Sequence, residues 1–141
     1  VSANDYIKGD SSFLFVEKDV KPAQPIQAIS KDYLTSFIRK GITQKGDSVD
    51  SLKVFQITKG APVNGSGNQD YLFADFEYEL NTEAGFLISR RGVLALTSAS
   101  KVPGENLQGL FSISTSKRWR SGLESTLRQM AESFRVYRLN S

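Results

Sequence analysis

Apolar and polar residues alternate most regularly between Tyr71 and Leu80 (YLFADFEYEL). Successive side chains of a strand point to opposite sides, so Leu72, Ala74, Phe76, Tyr78 and Leu80 share one face. Tyr71, Phe73, Asp75, Glu77 and Glu79 share the other. Phe86 to Ser98 (FLISRRGVLALTS) reads as a second long strand, with Gly92 marking a bulge or a bend. Leu107 to Ser114 reads as a third. The links between them are short: Asn81 to Gly85, and Lys101 to Asn106 with its Pro103-Gly104 turn signal. Three neighbouring strands so joined predict an antiparallel meander. Two further strands are expected. Ser12 to Glu17 is rich in aromatic and β-branched residues, and Leu52, Val54, Phe55 and Ile57 mark a strand near 51–59.

The apolar period changes from two to between three and four in two places. Tyr33, Leu34, Phe37, Ile38 and Ile42 predict a helix over about 31–43. Ser30 is placed to cap it, because its hydroxyl can accept from an orphan backbone N–H. Gly41 or Gly46 is expected to end it. Near the C-terminus, Trp119, Leu123, Leu127, Met130, Ala131 and Phe134 form the stripe of a final helix, with Arg120, Glu124, Arg128 and Glu132 on its polar side. Glu124 and Arg128 stand at the i,i+4 spacing of a helical ion pair. Val136, Tyr137 and Leu139 predict a short closing strand. Residues 1–11 read as a loop or frayed end, Lys18 to Gln27 is broken by Pro22 and Pro25, and Gly60 to Gln69 reads as an exposed hairpin loop. Strands segregated from helices predict an α+β fold, one domain over 1–141, its antiparallel sheet covered by helices.

Composition narrows the chemistry. The chain has no cysteine and no histidine. That removes disulfides, thiol catalysis, thiolate metal sites, histidine bases and the usual zinc ligands together. A serine or threonine nucleophile would need lysine activation. The net charge of +3 is unevenly placed. Residues 1–85 hold nine Lys/Arg against twelve Asp/Glu, net −3; residues 86–141 hold nine against three, net +6. The second half is therefore a candidate electropositive surface for an acidic partner. No apolar run approaches the ~20 residues of a membrane-spanning helix. A first residue of Val1 rather than Met suggests a processed chain.

Three constellations invite a functional reading. Asp75, Glu77 and Glu79 project from one strand face and could hold a hard cation such as Ca²⁺ or Mn²⁺. The competing reading is a solvated face, since no Asn/Gly loop completes a cage. Ser89 to Gly92 (SRRG) and Lys117 to Arg120 (KRWR) are basic clusters. Nucleic-acid binding through them is disfavoured, because Trp119 opens the apolar stripe of the last helix and is better placed as a core anchor than as a stacking platform. Gly65-Ser66-Gly67 lacks the Lys-Ser/Thr of a phosphate loop.

The segment from Tyr71 to Leu139 resembles the C-terminal part of the PsbP family, the extrinsic thylakoid-lumen proteins of photosystem II and their relatives. The family pattern is a long strand, a second strand ending in small polar residues, a third strand, and a Lys-Arg-Trp element opening a last helix that closes on Ser-Phe-x-Val. Here these are YLFADFEYEL, FLISRRGVLALTS, LQGLFSISTS and KRWRSGLESTLRQMAESF followed by RV, with Lys117, Arg118, Trp119, Ser133, Phe134 and Val136 the most specific positions. Weaker similarity runs from Phe13 to Asp50, around Asp32-Tyr33-Leu34. The family's opening Gly-Phe-x-x-x-x-Pro-x-x-Trp strand has no counterpart, nor do the metal-binding histidines of some members. The missing opening strand suits a PsbP-domain relative better than the photosystem II subunit itself.

The resemblance implies an antiparallel sheet sandwiched by helices, a place in the chloroplast thylakoid lumen, and no enzyme activity. It implies a monomeric auxiliary or assembly protein, peripheral to the membrane, that docks on photosystem II or another thylakoid complex. Arg90, Arg91, Lys117, Arg118 and Arg120 are the expected docking residues. No cofactor is expected, apart from Ca²⁺ or Mn²⁺ if Asp75, Glu77 and Glu79 form a site. The alternative function is a soluble lumenal binder of a cation or small ligand.

Overall fold

The computed structural model describes residues 2–5, 10–44, 46, 48–60, 71–82, 84–98, 102 and 104–132. Six strands build one sheet: β1 (Ser2–Asp5), β2 (Asp10–Glu17), β3 (Ser48–Gly60), β4 (Tyr71–Asn81), β5 (Leu87–Ser98) and β6 (Leu107–Thr115). Their order is β1-β2-β6-β5-β4-β3, antiparallel at every seam. The meander is thus β3 to β6, one strand longer than the three foreseen. β2 adds on the far side of β6 and carries β1 to the edge. Helix α1 (Lys31–Ile42) lies on one face. On the other lie the single turn α2 (Ser116–Arg118), a widened turn at Trp119–Leu123 and helix α3 (Glu124–Glu132). This is the expected α+β arrangement of a sheet between helices.

The larger core joins α1 to the sheet. Leu34, Phe37 and Ile38 are buried against Leu72, Phe76, Leu94, Leu96 and Phe111. The Phe111 ring stacks on Phe13 at 4.9 Å between centroids and meets Phe76 edge-on at 5.9 Å. Each fully buried Leu or Phe contributes roughly 1.5–3 kcal/mol relative to exposure. Ser30 caps α1 as expected, its Oγ accepting from the Tyr33 N–H at 3.1 Å. A polar clip closes the same layer. Lys40 Nζ lies 2.7 Å from Glu17 Oε2, and the Tyr33 hydroxyl donates to the other carboxylate oxygen. The smaller core places Trp119, Leu127 and Ala131 on Val93 and Ala95.

Several local expectations are corrected. Residues 2–5 are not a frayed end; they pair as β1 with Asp10 to Phe13. Backbone ladders need no apolar alternation, so composition concealed this edge strand. Gly41 does not end α1 but lies inside it, buried, where a Cβ would stand 2.5 Å from Phe111 Cζ. Gly92 marks no bulge. β5 pairs through it on both sides, and the missing side chain makes room for Phe76 and Ile113. The bulges lie instead in β3, between Asp50 and Lys53 and between Phe55 and Ile57, with Ser51 and Gln56 at φ 57° and 51°. The final helix is not continuous: Gly122, at φ 120°, kinks it after Trp119. The expected loop over 61–69 and closing strand at 136–139 lie outside the described residues.

Candidate functional site

β4 and β5 run past the end of β6, and the open end of the sheet carries the charged chemistry. Pairing of β5 with β6 starts only at Arg90 opposite Thr115, while β5 and β4 remain paired out to Leu87 opposite Asn81. The chain leaving β6 turns at once into α2, whose N-cap Thr115 accepts the Arg118 N–H on its Oγ1 at 3.3 Å. This turn brings Lys117 and Arg120 over the exposed ends of β4 and β5. Together they enclose an open groove of about 870 Å³. Its cations are Lys53, Arg90, Lys117 and Arg120, and its anions are Glu77 and Glu79, a balance of two positive charges.

The two basic clusters therefore separate by role. Arg90, Lys117 and Arg120 come together around the groove. Lys117 and Arg120 are exposed, and the buried Nε of Arg90 has no hydrogen-bond partner among the described residues. Arg118 is half-buried and does not line the groove. Arg91 does not line the groove and lies in the layer beside Trp119. Its Nη2 donates to Asp75 Oδ2 at 2.8 Å. Its guanidinium lies over the rings of Phe55, at 4.5 Å, and Trp119, at 5.3 Å.

Asp75 is correspondingly not part of a solvated face. It is 2% exposed and held from two sides. Arg128 reaches back from α3, its Nη1 3.1 Å from Oδ1 and its Nη2 2.5 Å from Oδ2. The same guanidinium donates from Nε to Glu124 Oε2 at 2.8 Å, which realises the expected helical pair. Hydrogen bonding to Asp75, supported by Glu124 and opposed by burial, raises the Arg128 pKa above its ordinary value. Two cations against two carboxylates balance charge around the buried Asp75 carboxylate. Asp75 is thus a structural anchor for α3. Nothing in the sequence pattern singled out Arg128 for this, because it shares the helix's polar side with Arg120. The visible signal was a lone carboxylate between Ala74 and Phe76 in the most regular strand.

Glu77 and Glu79 follow Asp75 on the same face but reach the groove instead. Glu77 is paired across the ladder with Arg91 and Lys53, Glu79 with Ser89 and Asp50. Among the described residues no three acidic side chains converge as a group that could hold a metal ion. A second open depression, of about 720 Å³, wraps the bulged part of β3 between Lys31 and Arg91 and shares Lys53 and Glu77 with the groove. No described helix is long and apolar enough to cross a membrane.

Comparison with known proteins follows the fold rather than the sequence. No family model matches the chain, and no curated protein matches it. Among solved structures it is similar to cyanobacterial PsbP (CyanoP) from Synechocystis sp. PCC 6803, known from its solution structure. The superposition has a TM-score of 0.54 at 12% identity and covers 92% of this chain and 68% of that one. At this identity the likeness is one of architecture: the sheet between helices described above is a PsbP-like fold.

Proposed function

We propose that this protein is a non-catalytic auxiliary or assembly protein that docks from the thylakoid lumen on a photosynthetic membrane complex, photosystem II being the first candidate. The observation that carries the reading is the gathering of Arg90, Lys117 and Arg120 at the open end of a PsbP-like sheet. The Lys-Arg-Trp element that most resembles the family also builds this wall: Trp119 is buried as the anchor, and Lys117 is left outside. Burying the indole fixes the turn, and the turn aims the cations. An acidic lumenal surface is the complementary partner, since opposite potentials speed encounter and fix orientation.

Co-sedimentation of the purified protein with thylakoid membranes over a salt series tests this. Binding at low salt should fall as screening shortens the reach of the surface charges. Lys117→Glu with Arg120→Glu should weaken binding on the order of tenfold or more. Both side chains are exposed, so the fold should persist, checked by circular dichroism. Salt-independent sedimentation, or a charge-reversed protein that binds as before, would overturn the assignment.

A further inference from the structure

The connection that joins β4 to β5 ends on two bare apolar side chains. Phe86 is 68% exposed and Leu87 58%, more than any other large apolar residue described. They sit where the hairpin has outrun β6, so β6 does not shield them. Thr82 and Gly85 hold the turn, the Gly85 N–H donating to the Thr82 carbonyl at 3.0 Å with Gly85 at φ 86°. The Phe86 N–H donates to Thr82 Oγ1 at 3.1 Å, and its carbonyl accepts from the Thr82 N–H at 2.9 Å. The tip is thus a tied turn presenting an aromatic and an aliphatic group to solvent. Leu87 also lines the cationic groove, beside Arg90, Lys117 and Arg120.

From this juxtaposition we infer that the β4–β5 tip and the groove form a contact for an anionic lipid surface. Phe86 and Leu87 enter the headgroup boundary, and the three cations meet headgroup phosphates. Two protruding apolar side chains are too little for a protein interface, which needs roughly 800 Å² per partner and pockets that fit its anchors. A bilayer interface supplies no pocket and requires none. It accepts apolar groups to a depth of roughly 5–10 Å and rewards basic side chains within reach of anionic headgroups. Lysine and arginine can lie along the apolar boundary while keeping their charge at the phosphate level. The groove's excess of two positive charges over Glu77 and Glu79 has the required sign. The inference goes beyond the proposed docking on a protein complex and stands without it, because a bare bilayer would suffice.

Vesicles free of protein test the two separately. The purified chain should pellet with vesicles of phosphatidylcholine and phosphatidylglycerol in equal parts, and not with phosphatidylcholine alone. Phe86→Ser with Leu87→Ser should lower the partition roughly tenfold through lost apolar insertion. Lys117→Glu with Arg120→Glu should lower it on the order of tenfold or more, with a flatter salt dependence. Both pairs are solvent-facing, so a native dichroism spectrum is expected for each. Absence of pelleting with the anionic vesicles would overturn the inference. So would pelleting that neither pair of substitutions reduces. Loss of thylakoid-complex binding in the Phe86/Leu87 variant, without any vesicle binding by the parent, would assign the tip to a protein surface instead.

Discussion

At Gly41 an added methyl group would enter the Phe111 ring, and the ring has nowhere to go. Phe13 stacks on it, Phe37 lies parallel at 6.1 Å, and Phe76 and Phe15 close the edges at 5.9 and 6.4 Å. Two effects oppose each other in Gly41→Ala. Helix propensity favours alanine by up to about 1 kcal/mol. Overpacking costs typically 1–3 kcal/mol, and a Cβ 2.5 Å from Cζ is a severe case. The substitution should therefore destabilise, by about 1–2 kcal/mol in urea unfolding. An unchanged or higher midpoint would mean that α1 can lift from the sheet. The sequence gives Gly41 two meanings, a helix stop and a close approach, and only the partner across the core decides between them. Gly92 shows the same ambiguity: it reads as a bulge and proves to be a space for Phe76.

At the scale of elements, the described contacts of α3 with the sheet are Leu127 and Ala131 in the apolar layer and the charge cluster at Asp75. Asp75 joins β4 to β5 through Arg91 and to α3 through Arg128. Asp75→Asn keeps the shape and removes the charge, leaving two guanidiniums facing each other. Removing one partner of a fully buried ion pair costs about 3–5 kcal/mol. Here the arginine side chains remain 22% and 29% exposed, so water relieves part of that cost. The expected loss is about 2–3 kcal/mol in chemical denaturation, and combined with Arg128→Ala it should be clearly less than additive. Full additivity would show that the cluster does not act as a unit. The apolar stripe was legible because periodicity alone defines it. The kink at Gly122 and the span from Arg128 to Asp75 were not, since both are set by where the sheet lies beneath the helix.

For the molecule as a whole, a chain without histidine has no side chain of ordinary pKa that titrates between about pH 5 and 8. Its stability should be nearly flat there and should respond to acid through its carboxylates. Glu17 is one defined contributor. Burial pushes its pKa up, but the bonds from Lys40 and Tyr33 outweigh this and hold it below the ordinary 4.5. A depressed folded value stabilises the native state above the unfolded pKa and is lost as pH falls through the folded one. Glu17→Gln should thus cost about 1 kcal/mol at pH 7, and the gap to the parent should close as the pH drops below 4.5. A gap independent of pH would separate the residue's packing from its charge. At this scale the layered α+β fold was legible from the order of periods, and so was the basic bias of the second half. Its division into an Arg91 held beside Asp75 and an Arg90, Lys117 and Arg120 around the groove was not, because a sum over residues carries no direction.

The bulges in β3 have a consequence for how copies of the chain meet. An open sheet ends in unpaired N–H and C=O groups, and a long regular edge strand invites another chain to extend the ladder. One edge here is β1, only four residues long. The other, β3, has thirteen, but Ser51 and Gln56 in left-handed backbone break it into stretches of a few residues each. Each break twists the strand and takes its donors out of line. Two sheets brought edge to edge therefore find no shared register long enough to hold. The irregularities that spoil the hairpin with β4 also oppose fibre-like self-association at high concentration.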